Sequence, residues 1–501
     1  MATDGRGRFA ALLAGAGIAA LAAPAAQAQT QAYRFHADHV LGTSLDMVAV
    51  AGDPATALMA AQAARDEIGR LDAVLSGWRA DSELSALNAA GRMQVSADLY
   101  RVLAACERWR AATGAAFDPR LGSVLALWRA AEASGTVPDP ARLGRMGAQI
   151  DAAEVGLDPA TRTVTRPLAV VFAPEALAKG YVVDAALAAA RAAAPGLAGL
   201  MVDIGGDLRC WGQAPGAQGW VVGLADPAAR EDNARPALLL AAGDRAVATS
   251  GRSDRDFEVG GATWPHLLGG RANTATVVAA SAADADALAT ALATLEPAAG
   301  VALVDRLDGY EARVVDETGA AHHSAGWTSL VLDQGADARL IRVSDAPAAA
   351  AAPWPARFAL TVDYVLPAFQ KARVHPAYVA IWVTDDANRL VRAVTLLGDK
   401  LDYIGENYIW WRRYGRSRPQ IVAAVSRPTK PAGKYSVVWD GKDDTGRPAG
   451  QGRYTLHLEA VREDGLHSYQ SIPLTLGATP LQAAAPAGDE LGATAVRYGP
   501  R

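Results

Sequence analysis

The chain has 501 residues, 51% of them apolar and 20% charged, with a formal net charge of −5. That length supports more than one core and predicts two or three domains. The balanced charge, with no basic stripe or Lys/Arg block, argues against nucleic acid as a partner.

The first residues read as a secretory signal. Arg6 and Arg8 form a positive n-region, residues 9–23 an apolar stretch, and Ala26-Gln27-Ala28 a small-x-small cleavage site. Residues 1–28 are therefore expected to be removed and the mature chain to be periplasmic. The apolar stretch falls short of the roughly 20 residues a membrane span needs, and no later stretch is long and apolar enough, so an integral membrane protein is not expected.

From residue 29 the chain mixes helical and strand patterns. Residues 54–75 carry Leu58, Ile68, Leu71 and Leu75 near one face, as an amphipathic helix does. Further helices are predicted over 98–113, 183–194 and 284–295, and buried strands over 168–172, 199–204 and 276–280. This predicts an α+β domain over 29–344. An Ala/Pro-rich linker follows at 345–355. Residues 356–477 alternate in period two, as in Phe358/Leu360/Val362/Tyr364 and Tyr454/Leu456/Leu458/Ala460, with turn clusters between the runs. That pattern predicts an all-β sandwich. Residues 478–501 are again rich in Ala, Gly and Pro and are expected to form a disordered tail.

Cys106 and Cys210 are the only cysteines. An oxidising compartment permits a disulfide between them, but their apolar contexts suit buried thiols as well. Zinc is poorly supported, since His322 and His323, adjacent on a strand, point to opposite faces. Asp440, Asp443 and Asp444 lack the ligand spacing of a calcium loop and read as a turn. Trp410-Trp411-Arg412-Arg413-Tyr414 reads as sheet packing with solvated arginines.

Four stretches carry potential chemistry. Ala178-Lys179-Gly180-Tyr181-Val182-Val183-Asp184, placed between a strand and a helix, suits an anion, with free N–H groups and a lysine. Asp203-Ile204-Gly205-Gly206-Asp207 lets backbone approach a ligand or another strand closely. Ala248-Thr249-Ser250-Gly251 offers hydroxyls ahead of His266. Asp286 and Thr290, at i and i+4 of a helix, put two oxygens on one face, suitable for a hard cation such as Mg²⁺.

Taken in order, these stretches resemble the ApbE family, the FAD:protein FMN transferases, from about residue 35 to 330. Leu41-Gly42-Thr43 is similar to its opening Met-Gly-Thr. Residues 76–88 (SGWRADSELSALN) resemble its Ser-x-Tyr…Asp-Ser-Glu-Leu-Ser…Asn signature, and residues 113–119 (TGAAFDP) its Gly-Ala-Phe-Asp-Pro turn. The resemblance implies binding of FAD and Mg²⁺ and transfer of FMN from FAD to a Thr or Ser hydroxyl of an exported or membrane redox protein, releasing AMP. By the family pattern the Ala176 carbonyl, Asp286 and Thr290 hold the metal, and Lys179 faces the phosphates. Leu41, Trp78, Ala116, Phe117, Asp118 and Leu268 line the FAD site, and His266 and Asp286 are catalytic.

The chain departs from the pattern after His266, where it reads Gly269-Gly270-Arg271-Ala272-Asn273 and lacks the family's Asp-Pro-x-Thr-Gly. Ala173 replaces an aspartate. The alternative expectation is accordingly a degenerate paralogue, acting as a periplasmic flavin carrier or interaction protein. The second region resembles a family of unassigned function often fused to ApbE domains, and its 439–456 stretch resembles Ig-like, FlgD-like modules.

Overall fold

The computed structural model describes residues 30–214, 219–226, 236–251, 256–267, 269–270, 272–332, 352–355, 357–369, 375–398, 407–415, 426–427, 429–462 and 465–501. The signal segment, Leu268, Arg271 and linker residues 345–351 lie outside them. No helix among the described residues is long and apolar enough to cross a membrane.

The first unit is organised by an eight-stranded antiparallel sheet. Its order is Gln31–Val40, Thr43–Ala51, Leu197–Ile204, Asp207–Gly212, Ala246–Gly251, Ala272–Ala279, Glu311–Asp316 and Ala321–His323. Strand alternation feeds two cores. Met47, Ala49 and Ala51 face a helical layer. Val48 and Val50 face a smaller cluster with Trp220, Leu240 and Trp327 on the opposite side.

The helices of this unit are α1 (Pro54–Leu75), α2 (Glu83–Ala90), α3 (Ala97–Ala112), α4 (Gly122–Ser134), α5 (Pro140–Asp151), α6 (Glu175–Ala193), α7 (Ala282–Thr294) and α8 (Pro297–Val304). Helix α1 spans the expected residues, capped by Asp53, which accepts the Thr56 N–H at 2.9 Å, with proline next in line. Its buried stripe is Ala57, Ala60, Ala61, Ala64, Ile68, Leu71 and Leu75, whereas Leu58 is 59% exposed. The expectation for Leu58 fails because small residues, not large ones, are needed where α1 packs closely on the sheet and on α6.

Two further expectations change. Residues 168–172 form no strand of the sheet. Leu168 is exposed, and the segment instead pairs with the turn before α4 through a parallel bridge between Val171 and Leu121, the Gly122 N–H donating to Val171 O at 2.9 Å. Helix α6 begins at Glu175, well before 183, so the Lys-Gly pair sits inside the helix and not at its start.

The second unit is a two-sheet β-sandwich. One sheet runs Gly433–Trp439, Phe358–Leu366, Thr494–Pro500, Leu481–Ala485. The other runs Ser426–Arg427, Leu390–Leu397, Tyr378–Asp385, Gly452–Val461, His467–Leu476. Between them lies a core rich in aromatics, including Tyr364, Trp439, Tyr454 and Tyr498. The expected tail is in fact structural: Thr494–Pro500 is an inner strand, with Thr494, Val496 and Tyr498 buried alternately. Its short period-two pattern was hidden by the Ala/Gly/Pro composition around it.

The expected linker also ends inside this unit, where Trp354 packs edge-on against Trp439 and Tyr498 at 4.7 and 4.9 Å. Trp410 is buried on the outer face of the larger sheet, but from a short helix, Tyr408–Arg413, and not from a strand. Asp443 accepts the Thr445 and Arg447 N–H groups at 2.8 and 2.9 Å, the turn expected there.

Candidate active site

Helix α7 gathers the motifs. Ten of its thirteen residues are buried, most of them alanine. Its close contact with α6 depends on Gly180, where a Cβ would lie 2.2 Å from the Ala282 carbonyl oxygen. On one stripe of α7 three successive turns each bond to a different motif. Asp286, 3% exposed, accepts the Gly180 N–H of α6 at 3.3 Å. Thr290 Oγ1 and Ser250 Oγ, at the end of the strand Ala246–Gly251, lie 3.1 Å apart. Thr294 Oγ1 donates to the Ala116 carbonyl at 2.9 Å. The sequence spacing 286/290 therefore does place two oxygen donors on one face. Ala176 is one helical turn before Gly180, so its carbonyl belongs to the same turn of α6.

Asp284, on another face of α7, is engaged elsewhere: it accepts from Arg108 Nη2 at 2.6 Å and Trp109 Nε1 at 2.7 Å. Among the described residues no group of three His, Cys, Asp or Glu side chains forms a metal site.

The expected flavin-lining residues are held by turn geometry. Leu41 and Gly42 form a two-residue hairpin with φ of 51° and 76°. A type I′ turn demands positive φ at both positions, a sparsely populated conformation for leucine. Gly114 and Ala115, at φ 60° and 66°, end α3. Thr113 Oγ1 donates to Trp109 O at 2.8 Å and accepts the Phe117 N–H at 3.1 Å, which fixes Ala116 beside α7. Phe117 is buried in the main core. Asp118 accepts from Arg110 Nε and from the Arg120 N–H, both at 2.9 Å.

Trp78 is 73% exposed, with the Arg129 guanidinium 4.2 Å from its ring centre. The serines of the 76–88 signature brace this loop. Ser82 Oγ donates to Ser76 O and Ser85 Oγ to Arg79 O, both at 2.6 Å, while Asn88 clamps the backbone of Phe172 with two 2.9 Å bonds. Lys179 differs from expectation: its ammonium is paired with Asp207, which is 1% exposed. The Asp207 carboxylate draws it toward the Gly205-Gly206 turn.

His266 follows a short hairpin, Phe257–Val259 with Ala262–Trp264, that packs on α4. Phe257 stacks on Trp128 at 5.7 Å and Trp264 lies 5.3 Å from the same ring. Asp256, 5% exposed in its side chain, meets His266 Nδ1 at 2.8 Å, and the same Oδ1 accepts the His266 N–H at 3.0 Å. The loop then turns back, the Gly270 N–H donating to Leu267 O at 2.9 Å. A Cβ on Gly270 would sit 3.8 Å from the Ala293 carbonyl, so the loop lies over the last turn of α7.

Asp256, Arg129 and Glu175 were not singled out in the sequence. Glu175 opens α6, with Oε1 2.5 Å from where a Gly77 Cβ would be, and burial raises its carboxyl above the usual range. Asp256 carried no local signal, standing ten residues from its partner.

A separate electrostatic cluster surrounds the Gly205-Gly206 turn. Asp203 sits opposite Asp46 in register, and burial, then the Asp46 and Asp207 charges, push its carboxyl up to about 7 against the Gly206 N–H bond. The two cysteines are free and buried in different cores, and burial lifts the Cys210 thiol to about 12.

Residues 41–314 match the family model described as "ApbE family" and residues 359–493 that described as "Predicted periplasmic protein (DUF2271)". The chain is 33% identical over 279 residues to the FAD:protein FMN transferase of Treponema pallidum, covering 50% of this chain and 76% of that one. It is 27% identical over 257 residues to that of Klebsiella pneumoniae, covering 49% and 78%. A crystal structure of the ApbE protein from Thermotoga maritima superposes with a TM-score of 0.52 at 25% identity, covering 60% of this chain and 99% of that one. The apo flavinyl transferase ApbE of Pseudomonas stutzeri gives 0.50 at 24%, covering 60% and 97%.

Proposed function

The chain belongs to the ApbE family and is a transferase; we propose that it moves FMN from FAD onto a Thr or Ser hydroxyl of an exported or membrane redox protein. The observation that carries the reading is the stripe of α7, where Asp286, Thr290 and Thr294 tie to Gly180, Ser250 and Ala116. Four separated motifs thereby share one helix face.

The oxygen donors of that face fit a hard cation. Asp286, Thr290 and the Ala176 carbonyl would hold Mg²⁺, which when bound neutralises charge developing on the phosphates. His266 takes the proton of the acceptor hydroxyl as its Oγ bonds to the phosphorus of the FMN half. The phosphoanhydride P–O bond breaks and AMP leaves with the bridging oxygen. Trp78 offers an exposed face on which a flavin ring can stack. Lys179, neutralised by Asp207, contributes less positive charge than its motif position suggests. The second family description and the N-terminal signal pattern support a periplasmic setting.

Incubation of the purified chain with FAD, MgCl₂ and a purified acceptor domain bearing a surface threonine tests the reading by flavin fluorescence on the denatured acceptor. A covalent band that falls at least about 100-fold in rate for Asp286→Ala is expected. FAD binding with no covalent band would support the alternative flavin carrier.

A further inference from the structure

We infer that Asp256 is a positioning residue for FMN transfer: it fixes His266 with Nδ1 protonated and Nε2 carrying the lone pair that receives the acceptor's proton. The inference rests on the proposed transferase reading. It adds a residue ten positions before His266 and assigns an atom to each half of the proton's path.

The argument begins with the hairpin. Asp256 stands immediately before it and His266 shortly after it, and the register pair Phe257–Trp264 brings the two ends together. The hairpin is anchored by Trp128 stacking and by Glu132, whose Oε1 accepts the Glu258 N–H at 3.1 Å. One carboxylate oxygen of Asp256 then accepts twice from His266, from the main chain at 3.0 Å and from the ring at 2.8 Å. A double hold of this kind fixes both the position of the residue and the rotation of its ring.

An ionised carboxylate only accepts, so Nδ1 is the donor, and in the neutral imidazole Nε2 is then the acceptor. Asp256 is 5% exposed in its side chain and His266 24%. The carboxylate is thus the covered member and the imidazole the reachable one. In the step, the Thr or Ser Oγ–H proton passes to Nε2 while Oγ bonds to phosphorus and AMP leaves. The imidazolium so formed keeps its Nδ1–H on Asp256, which stabilises the charge and does not itself take the proton.

Two measurements on the full chain test this. The first is the ring tautomer, read by ¹⁵N-histidine NMR, with the His266 signals assigned by their loss in His266→Gln. The wild type is expected to show a protonated Nδ1. In Asp256→Asn, whose amide can donate to Nδ1, the proton is expected on Nε2. The second is turnover with FAD, MgCl₂ and the acceptor domain. For Asp256→Asn a fall in kcat of about 10²–10⁴ is expected, the range of general-base catalysis, with the KM for FAD changed less than about threefold. Partial recovery in Asp256→Glu is expected.

A wild-type ring protonated on Nε2, or an Asp256→Asn enzyme with unchanged kcat, overturns the inference. Should Asp256→Asn fail to fold, the wild-type tautomer still decides. Should the wild type move no FMN, the transferase reading fails on its own, and with it the catalytic half of the inference, while the NMR result separately reports the Asp256–His266 hold.

Discussion

The two units solve the same packing problem with opposite materials. Around α7 the first unit is built from alanine and glycine, and backbone meets backbone: Gly180 is pressed against the Ala282 carbonyl. The sandwich is built from large rings, with Trp354, Trp439, Tyr454 and Tyr498 in edge-on contact. Rings fill the space between two sheets and keep their backbones about 10 Å apart. Small residues bring backbones within hydrogen-bond reach, so that Asp286 can take an N–H from a neighbouring helix. The lesson is that close approach, and not bulk, is what lets polar groups from distant motifs meet at α7.

Substitutions that exchange the two strategies test that contrast. Trp439→Ala, which removes a ring 1% exposed, is expected to destabilise the sandwich by about 3–5 kcal/mol. Differential scanning calorimetry should show one transition moving down while the transition of the first unit stays in place. FMN transfer should be unaffected by that variant below the lowered transition.

Gly180→Ala should behave in the reverse way. Its methyl group has no room, and forcing α6 from α7 is expected to cost about 1–3 kcal/mol in urea unfolding and to slow FMN transfer by displacing Asp286. Gly69→Ala is the control, since nothing lies within 4 Å of that position in α1. There the same change should stabilise by about 0.5–1 kcal/mol.

The last effect concerns charge. The Asp203 carboxyl titrates at about 7 in the folded chain against an ordinary value of 3.8. A raised folded value means that the contribution of Asp203 to stability is fullest below 3.8 and is lost as pH rises through about 7. Asp203→Asn removes that dependence. Its urea midpoint should match the wild type at low pH and exceed it at pH 8, with the gap opening across that interval. A gap that stays constant with pH would show that Asp203 is not the titrating group.

Much of this was legible in the sequence where side chains repeat with a clear period. Helix α1 was predicted to the residue, and the 286/290 spacing gave the stripe on α7. What escaped did so for identifiable reasons. Leu58 outranked its alanine neighbours in hydrophobicity, yet the N-terminal half of α1 buries the methyl groups of Ala57, Ala60, Ala61 and Ala64. Thr494–Pro500 alternates over few residues within a low-complexity surround. Lys179 reads as an anion ligand until the strand carrying Asp207 is folded beside it. The Asp256–His266 contact depends on a hairpin that brings together residues ten apart, and no local pattern announces it.

The sandwich also has a consequence in time. Phe358–Asp363 pairs with Ala495–Pro500, and that strand separates Phe358–Leu366 from Leu481–Ala485. A chain delivered from its N-terminal side presents Phe358–Leu366 first and must leave that edge open until residue 500 has emerged. Pairings between such distant segments are slow to form, and an unpaired edge is a template for association with other chains. The unit is therefore most vulnerable to aggregation and proteolysis before Thr494–Pro500 takes its inner place in the sheet.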